Sequence, residues 1–106
     1  VDTRLTALVS ERELYFVPVV NADGFVRVQR YEEWSDPNRS YPYPEKPDAK
    51  PTPSIASLIE FFGEREFVGS IDYHAYGEMV MYPWAYTYSS VDEKDSQIFH
   101  PLTQSM

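Results

Sequence analysis

The 106-residue chain carries nine Lys and Arg against 17 Asp and Glu, a formal net charge of −8, which speaks against a nucleic-acid phosphate surface and against an anionic membrane. Hydrophobic residues make up 42 % and charged residues 25 %, a balance that excludes a fully disordered chain and allows one domain at most. The absence of Cys removes disulfides and thiolate metal sites, and no apolar run nears the ~20 residues of a membrane-spanning helix.

In chain order, Val1, Leu5, Leu8 and Val9 fall on one helical face, which predicts a helix over residues 2–10. Leu14 to Val20 is a continuous apolar, β-rich run, suited to a strand covered on both faces. Pro18 donates no hydrogen bond and points to a bulge or the strand's end. Asn21-Ala22-Asp23-Gly24 reads as a turn just past that strand. In open α/β sheets, ligands bind at such a place. Residues 25–34 fit a strand or an irregular helix equally. Residues 35–52 read as a loop of unusual length for a compact domain, with Pro37, Pro42, Pro44, Pro47 and Pro51 inside it.

Thr52 and Pro53 then open a helix as its cap and its first residue. Ile55, Leu58, Ile59 and Phe62 supply its apolar stripe, and Gly63 marks its end. Phe67 to Tyr73 and Glu78 to Tyr82 read as strands, separated by the turn His74-Ala75-Tyr76-Gly77. Ser90 and Glu93 have the spacing of a capping box that opens a last helix. Its apolar face is Ile98, Phe99, Leu102 and Met106, and Pro101 should kink or end it. The predicted fold class is α/β, part of a mixed β-sheet flanked by helices.

Four clusters bear on chemistry. The Asn21–Gly24 segment reads as structural. In the loop, Asn38 and Arg39 offer a carboxylate three donors, two from the planar guanidinium and one from the amide. A solvated surface Arg is the plain alternative. His74 ends an apolar run, a position open either to a zinc ligand or to a hydrogen-bonded rim imidazole. Tyr82, Trp84 and Tyr86 either line a pocket or pack in a core. His100 has no supporting neighbour and reads as surface, and neither a phosphate loop nor a metalloprotease helix motif is present.

The order of these segments carries more than any one of them. Val-Pro-Val-Val-Asn-x-Asp-Gly-Phe, Asp-x-Asn-Arg-Ser-Tyr-Pro, a helix, Ile-Asp-Tyr-His-Ala-Tyr and Met-Tyr-Pro-Trp-Ala-Tyr-Thr succeed one another between Leu14 and Thr87. This arrangement resembles the zinc carboxypeptidases, the metallocarboxypeptidases of carboxypeptidase A and carboxypeptidase T type. The resemblance implies that residues 1–106 form a single partial domain, the central portion of a catalytic domain. It implies that the parent protein uses Zn2+ to remove C-terminal residues from peptides with a free carboxylate. In that mechanism zinc lowers the pKa of bound water toward ~7 and polarises the scissile carbonyl.

The resemblance also assigns roles. His74 matches the family's third zinc ligand. Asn38 and Arg39 match the pair that grips the substrate's terminal carboxylate, and Tyr76 matches a substrate-subsite tyrosine. The family's His-x-x-Glu zinc motif belongs upstream of Leu14 and its general base near the domain's end, so this segment is expected to hold neither and to be inactive alone. The departures are specific. Ala22 replaces a Pro, Ser40 an Asn and Ala75 a Ser. Ser35 follows Trp34 where the family has an Arg shortly after a Trp, so either Arg27 or Arg30 substitutes or that function is lost. The family's bacterial members are mostly exported, which implies a secreted or periplasmic protein. Two other readings share these residues. One is a related zinc amidohydrolase, either a peptidoglycan-trimming peptidase or an N-acyl amino acid deacylase. The other is a non-catalytic binding module of the same fold.

Overall fold

The structure, a computed structural model, describes residues 2–106, so the part of the first predicted helical face carried by Val1 lies outside it. Among the described residues there are four α-helices, α1 (Thr3–Glu11), α2 (Ala22–Val26), α3 (Pro53–Gly63) and α4 (Glu93–Ser105), with a 3-10 turn at Pro37–Arg39. The chain divides into two compact units, Val1–Glu66 and Phe67–Met106.

The expected mixed β-sheet does not form among the described residues. Among the described residues no strand forms, and the only β pairing is two isolated bridges, Glu32 with Ser35 and Tyr43 with Lys46, each closing a tight turn. The three runs read as strands, 14–20, 67–73 and 78–82, are irregular instead. β-branched and aromatic residues raise strand propensity by no more than ~1 kcal/mol, and cross-strand pairs supply the rest. Without a ladder to join, Phe16 is left 82 % exposed and Tyr73 88 % exposed.

In the first unit, α1 begins where Asp2 accepts a hydrogen bond from the Arg4 amide at 2.8 Å. The segment read as a turn past a strand opens α2, with Asn21 as its cap. The Asn21 side chain accepts from the Gly24 amide at 2.8 Å and donates to the Arg30 carbonyl at 3.3 Å. Gly24 is buried, and a Cβ there would stand 2.7 Å from the Gln29 carbonyl oxygen, so only glycine fits this close approach. Helix α3 begins and ends where the sequence places it, with Thr52 as cap residue and Pro53 at its first position. Its apolar stripe is unevenly used. Ile55 is 2 % exposed, whereas Phe62 is exposed. Farther along α3, Tyr15 packs edge-on against Phe61 at 5.3 Å, and the Arg65 guanidinium lies over the Phe61 ring at 4.3 Å.

In the second unit, residues 67–92 are irregular and α4 follows. The box read at Ser90 and Glu93 moves by two residues: Asp92 is the cap, and its carboxylate accepts from the Asp95 amide at 3.0 Å. The helix also runs through Pro101 to Ser105 instead of ending there. Phe99 of its expected apolar face stacks on Tyr82 with ring centroids 5.6 Å apart, and Val91 is buried beside the helix start.

Candidate functional site

Asn38 and Arg39 sit on the 3-10 turn, in the first unit. Asp36 caps the turn, its Oδ1 accepting from the Asn38 amide at 3.0 Å. The same carboxylate takes the Arg30 Nε at 2.7 Å through its other oxygen. Partial burial works to raise the Asp36 carboxyl, but the bonds from Arg30 and the Asn38 amide prevail and hold it below its usual range. Behind the turn, the Ser40 amide and hydroxyl both donate to the Pro37 carbonyl, at 3.1 and 2.9 Å.

These contacts fix the backbone and leave the two recognition side chains outside. Asn38 and Arg39 are both exposed. The Arg39 Nη1 donates to the Asn38 carbonyl at 3.1 Å, and among the described residues no carboxylate forms an ion pair with it. The arrangement can present a guanidinium and an amide to an incoming carboxylate from a backbone that is already held.

Helix α3 is fastened to the same region by a contact that no local motif announces. Glu32 accepts from the Ser54 amide at 3.0 Å and from the Ser54 hydroxyl by a short bond, which satisfies the helix N-terminus in place of the Thr52 side chain. A search for capping boxes misses it, because Glu32 lies 22 positions before Ser54. Desolvation works to raise the Glu32 carboxyl, but hydrogen bonds from Ser54 and Thr52 outweigh it and lower the pKa.

A pH dependence follows. Both carboxyls are held below their ordinary values of 4.5 for Glu32 and 3.8 for Asp36. The unfolded chain therefore binds protons first, and the stabilisation they give is fully present above those values and is lost as pH falls through the lowered ones. Urea unfolding of the 106-residue chain between pH 6 and 3 should show a stability loss that is shallower in Glu32→Gln/Asp36→Asn. An equal slope in both proteins would show that these carboxylates do not hold the region.

Arg27 and Arg30, the substitutes considered for the missing Arg after Trp34, are both engaged locally. Arg27 pairs with Asp23 at 3.7 Å, one helical turn away, and Arg30 with Asp36.

His74 and Tyr76 belong to the second unit, where both are exposed and Tyr76 is 98 % so. His74 precedes a bend at Ala75 and Tyr76, and Gly77 follows with a φ of 105° that favours glycine. Among the described residues no three His, Asp or Glu side chains come together as a metal site. A zinc centre takes about three protein ligands. His100, read as surface, is exposed and shares a 3.1 Å hydrogen bond with the Gln104 amide one turn along α4. Within their own unit, Trp84 and Tyr86, read as either pocket or core aromatics, have ring centroids 6.1 Å apart.

Comparison with known families agrees with the order of motifs. The zinc carboxypeptidase family model matches residues 1–106, and the chain belongs to that family. It is also similar to a zinc carboxypeptidase of Saccharothrix mutabilis subsp. capreolus, with 23 % identity over 139 aligned positions, covering 93 % of this chain and 32 % of that protein. The chain thus spans about a third of the relative's length. No solved structure matches it. Family membership makes hydrolase and metalloprotease ancestry plain, and no helix among the described residues is long and apolar enough to cross a membrane.

Proposed function

We propose that these 106 residues are the central portion of the catalytic domain of an exported, zinc-dependent carboxypeptidase, which removes C-terminal residues from peptides. In this reading Arg39 and Asn38 hold the substrate's free carboxylate and set the exopeptidase register. Tyr76 contacts the substrate, and His74 contributes one zinc ligand to a centre completed by residues outside this segment. The supporting observation is the Asn38–Arg39 turn, whose backbone is bonded at both ends while the guanidinium stays exposed, its charge felt by Asp36 but in no close ion pair among the described residues. A planar guanidinium presented this way suits two parallel charge-assisted bonds to a carboxylate.

The test uses the full-length protein. It should release the C-terminal residue from a peptide with a free carboxylate, lose that activity to a chelator and regain it with Zn2+. Release from N-acyl amino acids but not from peptides would support the deacylase reading instead. Binding of peptide without release would support the non-catalytic module.

A further inference from the structure

Between the 3-10 turn and α3 lies a polar junction. Ser40 is 3 % exposed and Thr52 6 % exposed, and they are the two buried polar residues of the first unit. The Ser40 Oγ donates its proton to the Pro37 carbonyl at 2.9 Å and accepts from the Thr52 amide at 3.2 Å. The Thr52 hydroxyl lies 3.4 Å from it. One oxygen thus joins the carbonyl that closes the Asn38–Arg39 turn to the residue that caps α3, twelve positions along the chain.

We propose that Ser40 is a positioning residue, which holds Arg39 in register for the substrate carboxylate by locking its turn to the start of α3. The inference rests on the assignment of Arg39 as the carboxylate grip and adds the residue through which that grip is aimed. Asp36 secures the front of the turn from its own loop. Ser40 ties the back of it to a helix of eleven residues, whose first turn carries the nearly inaccessible Ile55. Removing the hydroxyl leaves the buried Thr52 amide without its acceptor, and a buried unsatisfied donor draws the backbone toward another partner or toward water. The segment that shifts carries Arg39. A bidentate contact depends on angle as well as distance, and a misplacement of ~1 Å by a residue remote from the chemistry can cost ~10²-fold in rate.

The experiment compares kcat/KM of the full-length enzyme on a matched peptide pair, one with a free C-terminal carboxylate and one amidated. Ser40→Ala should lower the free-to-amidated ratio about tenfold, an effect smaller than outright loss of the grip. Ser40→Cys keeps the side-chain volume but offers a poor acceptor, and it should move the ratio in the same direction. Ser40→Thr keeps the hydroxyl and should stay near the wild-type ratio. In an Arg39→Ala background, Ser40→Ala should have no further effect on the ratio, because the group it aims is gone. If Arg39→Ala collapses the ratio while Ser40→Ala and Ser40→Cys leave it unchanged, or lower both substrates equally, the positioning role is overturned and Ser40 is only structural. If Arg39→Ala itself leaves the ratio unchanged, the carboxylate-grip reading fails, and the role of Ser40 fails with it.

Discussion

Arg39→Ala in the full-length enzyme should lower kcat/KM for peptides with a free C-terminal carboxylate on the order of 10²-fold or more, an effect of positioning. A guanidinium–carboxylate pair makes two charge-assisted hydrogen bonds, each roughly twice as strong as a neutral one. An amidated C-terminus carries no charge and offers one acceptor oxygen in place of two, so it has little of that pair to lose. Arg39→Lys should recover only part of the loss, since an ammonium keeps the charge without the planar fork. The structure bears on this by showing how little of the turn depends on the Arg39 side chain. The backbone is held by Asp36 and Ser40, and the side chain donates to the neighbouring Asn38 carbonyl. Its removal should therefore act on substrate and leave the turn in place.

His74→Ala should instead abolish turnover of both substrates and reduce the zinc content of the purified protein. Zinc centres of this kind use about three protein ligands, and loss of one imidazole weakens the metal as well as the reaction. Metal analysis alongside the kinetics distinguishes this from a folding defect. His74 is exposed, so its replacement removes little packing. A variant that keeps both zinc and activity would take His74 out of the metal site. The two substitutions thus separate gripping from chemistry, one selective between substrates and the other indifferent to them.

The helices were readable because their signals are local. Pro53, the stripe at Ile55 and Gly63 bound α3 without reference to any other part of the chain. The start of α4 was misread by two residues because Ser90 and Asp92 both make plausible caps, and only the geometry shows that Asp92 accepts the bond. Of the two effects expected of Pro101, a kink or an end, the end does not occur, since the helix continues to Ser105. The predicted strands failed for a different reason. A run such as Leu14–Val20 has the composition of a strand, but a ladder needs a neighbour, and no paired strand occurs among the described residues.

The site was legible as residue types in order. The resemblance assigns roles to the Asn-Arg pair, the His and the tyrosine two positions beyond it, and the family match extends over the whole chain. The support beneath the pair was not legible. Glu32 reaches Ser54 across 22 positions and Ser40 reaches Thr52 across twelve. Neither separation has a periodicity that a reading of the sequence would notice. Ser40 stood out only as a departure from the family's usual Asn, whereas in the structure it is among the least accessible residues of the chain.

The free-to-amidated ratio of kcat/KM, compared between wild type and Arg39→Ala, tests the carboxylate grip most directly. The wild-type enzyme should favour the free carboxylate strongly, and the ratio should fall by about 10² in the variant, mainly through loss on the free peptide. An unchanged ratio, with both substrates slowed alike or neither slowed, would contradict the assignment of Arg39 as the group that reads the peptide's C-terminus.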